Sequence, residues 1–80
     1  MKHNIIKEES LGNHIWRITI ELIPESEIEI NAILRTSITE ASDSERELID
    51  NCLHSSLSRY SITNFVGQNQ SFFVVDAFLN

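Results

Sequence analysis

From His14 to Ile23 apolar and polar residues alternate without a break. His14, Trp16, Ile18, Ile20 and Leu22 fall on one face, and Ile15, Arg17, Thr19, Glu21 and Ile23 on the other. A period of two sustained over this length predicts a half-buried β-strand. Beyond a Pro24-Glu25-Ser26 turn the alternation resumes through Ile28, Ile30, Ala32, Leu34, Thr36 and Ile38, and the β-branched content suits a pleated surface. Together the runs predict a long β-hairpin from His14 to Thr36. Folded symmetrically about Glu25, it sets Leu22 opposite Ile28, Ile20 opposite Ile30, Ile18 opposite Ala32 and Trp16 opposite Leu34. The other face then pairs Glu21 with Glu29 and Ile23 with Glu27. A second pattern competes over the same segment: Pro24, Glu25, Ser26 and Glu27 also resemble a helix start, with Ile30, Ile33, Leu34, Ile38 and Ala41 on a helical stripe. The strand accommodates more of the apolar positions and is the expectation carried forward.

The flanking segments complete a sheet and supply a cover for it. Met1 to Glu8 holds Ile5 and Ile6 and ends in Glu9-Ser10-Leu11-Gly12-Asn13, where Gly-Asn is turn chemistry, so a first strand pairs with the second. Its register is open by one residue, which sends either Ile5 or Ile6 to the core face. Ala41-Ser42-Asp43-Ser44 is a cap cluster, with Ser42 to Glu45 or Ser44 to Glu47 spaced as a capping box. The helix that follows, from about Asp43 to Tyr60, carries Leu48, Ile49, Cys52, Leu53, Leu57 and Tyr60 on a wide apolar stripe that suits the hairpin's Trp/Ile/Leu face. Ser61 to Val66 is an optional short strand, the source of the count of four to five, and Gly67 to Gln70 would turn the chain into a last one, Ser71 to Leu79. That strand is apolar on both faces: Phe73, Val75, Ala77 and Leu79 on one, Phe72, Val74 and Phe78 with Asp76 on the other. Such a strand is normally covered on both sides.

The fold class that follows is α+β: one domain over residues 1–80, with a twisted antiparallel sheet of four to five strands in the order β-β-β-α-(β)-β and one helix packed on one face. At this length a core only just outweighs chain entropy, and burial amounts to roughly two thirds of the unfolded surface.

Charge narrows the possible partners more than size does. The chain carries −6, and nine carboxylates between Glu21 and Asp50 stand against Arg35 and Arg46 alone, so that tract holds −7 and the remainder +1. Direct nucleic-acid binding is disfavoured, because phosphate neutralisation needs clustered Lys or Arg. Cys52 is alone, which excludes an intrachain disulfide, and no charged n-region plus apolar h-region opens the chain. No apolar run approaches a membrane span. A cytoplasmic setting is expected, and abundant Ile, Asn and Ser beside scarce Ala, Gly and Pro point to a bacterial or phage genome.

The candidate chemistry is sparse. Cys52 and His54 lie two apart on a helix, where side chains diverge by about 200°, so they form no nucleophile–base pair. A buried thiol accounts for Cys52, and an exposed helical pair accounts for His54 beside Asp50. His3, His14, His54 and Cys52 have no metal-ligand spacing. Gly12 and Gly67 are isolated, which argues against a phosphate cradle. The facing Glu21 and Glu29, with Glu27 beside them, lack walls that would desolvate a catalytic carboxylate; like charges opposite on a sheet instead cost some tenths of a kcal/mol that a cationic partner would relieve. No catalytic residue, metal or cofactor is expected.

Two surfaces remain, and both point to a protein partner. Ile15 and Ile33, with Phe72, Val74 and Phe78, form an apolar excess on the sheet face away from the helix, which a homodimer or another protein would cover. Glu21, Glu25, Glu27 and Glu29 form an acidic one. The first expectation is a non-enzymatic interaction module, an inhibitor or adaptor acting as a homodimer. The alternative is an acidic mimic of nucleic acid occupying the basic groove of a nucleic-acid-binding protein. In size and charge, though in no motif, the chain is similar to small phage-encoded antagonists such as anti-CRISPR proteins and DNA mimics; the similarity covers composition alone.

Overall fold

A computed structural model describes residues 1–80. The chain runs through β1 (Lys2–Gly12), β2 (Ile15–Ile23), α1 (Glu27–Ser37), α2 (Asp43–Ser56), β3 (Tyr60–Asn69) and β4 (Phe72–Leu79). The four strands form one antiparallel sheet in the order β1-β2-β4-β3, so the predicted α+β class and antiparallel sheet hold, with two helices on one face instead of one.

The segment after Pro24 is the main correction. Residues 27–37 are helical, not the second arm of a hairpin. Ser26, in extended conformation, accepts a hydrogen bond from the Glu29 backbone N–H at 3.2 Å, and the Glu29 carboxylate reaches back to the Glu25 N–H at 2.8 Å. One of the four N–H groups left over at a helix start is satisfied by Ser26, the Glu29 carboxylate fixes the residue before the cap, and Glu27 and Glu29 favour the positive end of the helix dipole. The place beside β2 belongs to β4 instead: Trp16 pairs with Ala77, Ile18 with Val75, Ile20 with Phe73 and Glu21 with Phe72. The facing Glu21–Glu29 and Ile23–Glu27 pairs therefore do not exist. Leu34, expected opposite Trp16 in the core, is 55 % exposed.

The second helix starts where the sequence placed it. Ser42 and Glu45 form a full capping box, a feature worth about 1 kcal/mol. It ends at Ser56, short of Tyr60, and Leu57 caps it with its N–H on the Leu53 carbonyl. Asn13 and His14 both take positive φ, as a two-residue hairpin loop requires, so β2 begins at Ile15. β3 is longer than Ser61 to Val66, and its turn to β4 lies at Gln70 and Ser71, with Gly67 inside the strand.

Eleven residues are buried and all are apolar: Ile18, Ile20 and Leu22 from β2, Phe73, Val75 and Ala77 from β4, Ala32 and Ile33 from α1, and Ile49, Leu53 and Leu57 at α2. The central strands and the helices thus make the core, and neither edge strand contributes a fully buried side chain. Truncating Phe73, which is 1 % exposed and meets Phe65 edge-on, removes about 3–5 kcal/mol. That is much of what a domain of this size possesses.

Both edge strands are irregular and both inner strands are regular. Ile6 and Leu11 in β1, and Thr63 and Val66 in β3, are each an extra residue with no partner across the ladder. The bulge at Ile6 resolves the register of β1: Ile5 pairs with Ile20, Ile6 drops out of the pairing, and both remain substantially exposed.

Helix α1 is tied at both margins of the sheet. The Met1 amino group, beside the start of β1, lies 3.2 Å from Glu25 and 3.0 Å from Glu29. At the other margin, Gln68 of β3 donates from Nε2 to the Ile33 carbonyl and to Thr36 Oγ1, both at 3.1 Å.

Candidate functional site: the open sheet face and the outer side of α1

Alternation decides what the uncovered face of the sheet displays. With Ile18, Ile20, Leu22, Phe73, Val75 and Ala77 turned toward the helices, their neighbours Ile15, Arg17, Thr19, Glu21 and Ile23 on β2, and Phe72, Val74, Asp76 and Phe78 on β4, point the other way. Cross-strand pairs place Ile15 beside Phe78, Arg17 beside Asp76, Thr19 beside Val74 and Glu21 beside Phe72. Ile23, Phe72 and Phe78 are each about two-fifths exposed (39 %, 37 % and 43 %). β1 adds Lys2, Asn4, Lys7 and Glu9 to this face, and β3 adds Ser61, Asn64 and Asn69.

Arg17 and Asp76 form the centre of that surface. The guanidinium donates twice to the carboxylate, Nε to Oδ1 at 2.9 Å and Nη2 to Oδ2 at 3.1 Å. The hydrogen-bonded guanidinium holds the Asp76 carboxyl below the usual range, and Asp76 in turn raises Arg17. Glu9, the β1 partner of Arg17, adds a further, smaller attraction. The charges on this face are Lys2, Lys7 and Arg17 against Glu9, Glu21 and Asp76, and they cancel. A protein of charge −6 therefore has one broad face that is neutral and rich in aliphatic and aromatic carbon.

The other surface is the side of α1 turned away from the sheet. At 100° per residue Ala32, Ile33, Thr36 and Glu29 share the inner side, and Ile30, Leu34 and Ile38 the opposite one. Ile30 is 46 % exposed and Ile38 59 %. Near the C-terminal end of α1 lies an open cleft of about 330 Å³ lined by Thr36, Thr39, Ala41, Ile49, Leu53 and Phe65, among others, with Arg46 and Asp50 also contributing.

The residues singled out from sequence divide between these places. Ile15, Phe72, Val74 and Phe78 share the open sheet face, and Glu21 lies among them. Ile33 does not: it is 6 % exposed and belongs to the core, because α1 is a helix and turns it inward. Glu25 and Glu29 face the Met1 amino group at the margin of the helical layer, and Glu27 opens α1, so these three glutamates form no common patch with Glu21. The backbone N–H of Glu25 and then the Met1 amino group hold the Glu29 carboxylate below its ordinary range. Ile30, Leu34 and Ile38 were missed as surface residues, and the helical stripe containing them was the signal.

The remaining reactive groups are set apart. Cys52 sits partly buried against the core, and burial pushes its thiol up. His54 lies 3.4 Å from Asp50 on the outer side of α2, as an i, i+4 pair. Glu45 caps α2 and lies 3.6 Å from Arg35, and the Ser42 backbone N–H holds its carboxylate low. No three His, Cys, Asp or Glu side chains converge, and no helix is long and apolar enough to cross a membrane. Comparison with protein-family models, with curated proteins and with solved structures finds no match for the chain.

Proposed function

We propose that this chain is a non-enzymatic protein-binding module, an adaptor or inhibitor, that works as a homodimer joined through its open sheet face. The observation that carries the reading is the neutrality of that face in an otherwise acidic molecule. Two copies of charge −6 repel through most of their surfaces, and the Ile15, Phe72, Val74 and Phe78 face is where they meet without like-charge cost. Arg17 and Asp76 enter such an interface already paired through two hydrogen bonds.

Size supports the same occupant. Four strands about 4.8 Å apart and eight residues long at about 3.3 Å each offer roughly 500 Å² of flat area per copy, or about 1,000 Å² for two, the lower bound of a specific interface. The non-enzymatic part of the reading rests on how the acids and the thiol are engaged: Asp76 by Arg17, Glu29 and Glu45 at helix starts, and Cys52 by burial. A single reduced cysteine agrees with a cytoplasmic setting.

The test is the solution mass. Sedimentation or light scattering at high micromolar concentration should give twice the 9.2 kDa chain mass, and Val74→Glu or Phe78→Glu should give the single chain with an unchanged circular dichroism spectrum. A wild-type chain that stays monomeric throughout that range sinks the homodimer.

A further inference from the structure

We infer that the outer side of α1 is a docking stripe for an amphipathic helix with basic flanks, supplied by a protein partner. The inference rests on the protein-binding reading above and places the partner on the face of the molecule opposite the proposed dimer contact. Ile30, Leu34 and Ile38 recur every four residues on the side of α1 that faces away from the sheet, and all three are about half exposed. A surface helix normally keeps polar residues there. A four-residue repeat is also the ridge that fits the groove of a second helix.

The dimensions choose between occupants. From Ile30 to Ile38 the stripe is about 12 Å long, which matches two to three turns of a partner helix and falls far short of the roughly 800 Å² per side that two folded domains use. A partner helix would offer apolar residues at i, i+3, i+4 and i+7.

Charge selects the flanks. Glu27 lies at the N-terminal end of the stripe and Glu40 just beyond Ile38; neither has a cation within 4 Å. The two arginines of the helical layer are engaged, Arg35 with Glu45 and Arg46 with Asp43. A second copy of this chain laid on the stripe would bring unpaired glutamates against each other, whereas lysines beside the apolar seam of a partner helix would meet them.

The test uses a fluorescent synthetic peptide, a four-turn leucine/lysine amphipathic helix, titrated by anisotropy against the full chain and followed at two salt concentrations. A leucine/glutamate peptide of the same pattern and an all-lysine peptide serve as controls. Saturable binding of the leucine/lysine peptide alone is expected. Leu34→Gln, at an exposed helical position, and Ile38→Gln, at the exposed C-cap, should each weaken it about tenfold, the loss of one well-buried aliphatic contact. Titration against the Val74→Glu chain separates this inference from the dimer: unchanged affinity there supports the stripe whether or not the wild type dimerises. Equal binding by the all-lysine peptide, or binding that survives Leu34→Gln and Ile38→Gln and is lost in Glu27→Lys and Glu40→Lys, assigns the surface to charge alone. That result overturns the stripe in favour of nucleic-acid mimicry. Absence of any binding overturns it outright and leaves the homodimer untouched.

Discussion

Arg17 on β2 and Asp76 on β4 face each other across the ladder with two hydrogen bonds, at 2.9 and 3.1 Å, in the middle of the uncovered side of the sheet. Of the Asp76 side chain 14 % is exposed, and of the longer Arg17 side chain 42 %. The pair neutralises what would otherwise be two charges in an apolar surface.

Its pH dependence has a definite sign. The carboxyl of Asp76 titrates lower in the folded chain than in the unfolded one, chiefly because Arg17 hydrogen-bonds the charged form. The stabilisation is therefore complete above the unfolded value of about 3.9 and is lost as pH falls through the lower folded value. Urea midpoints measured from pH 7 to pH 2 should show Asp76→Asn less stable than its parent at neutral pH, with the two converging in acid. Making both proteins in the Val74→Glu background keeps association out of the comparison. Parallel curves would show that the pair has no linked proton.

Gln68 holds the C-terminal half of α1 from the sheet. Its amide donates to the Ile33 carbonyl, to Thr36 Oγ1 and, at 2.8 Å, to the Gln70 carbonyl. Gln68→Leu leaves partly buried acceptors without that donor and should cost about 1–3 kcal/mol in equilibrium urea unfolding, with the m-value unchanged. Thr36→Val removes only the hydroxyl and should cost less. Faster amide exchange confined to the last turn of α1 in the Gln68 variant would identify the tie; an unaltered midpoint would refute it.

The Cys52 thiol is raised by burial against the core, an effect the nearby Met1 amino group opposes only in part. Since the thiolate is the reactive form, labelling by a disulfide reagent at pH 7 should be slow in the native chain and should rise steeply in urea. Rapid native labelling would reopen the question of nucleophilic chemistry at this position.

The α2 cap, the turn after Gly12, the α+β class and the β2 and β4 residues of the open face were legible in the sequence, because each rests on a local rule: Ser42 three residues before Glu45, an asparagine following a glycine, and strict alternation in β2 and β4. α1 was misread for an equally physical reason. Its apolar residues occupy two opposite sides, Ala32 and Ile33 inward and Ile30, Leu34 and Ile38 outward, and a helix with two apolar sides imitates the alternation of a strand. The arbitrating signal was Ser26 three residues before Glu29, the same spacing that correctly placed α2. Strand order carries no such local signature. That β4 and not residues 27–37 lies beside β2 follows from contacts some sixty residues apart, and with it went the expected glutamate pairs and the surface position of Ile33.

The four bulges fall only on β1 and β3, the strands whose outer margins have no neighbour, while β2 and β4 run without interruption. A margin broken twice, and carrying Lys2 and Lys7 on β1, offers an incoming strand no continuous row of hydrogen-bonding groups. Copies of this chain are thereby kept from adding strand to strand into open-ended fibrils, and a concentrated solution should hold particles of finite size.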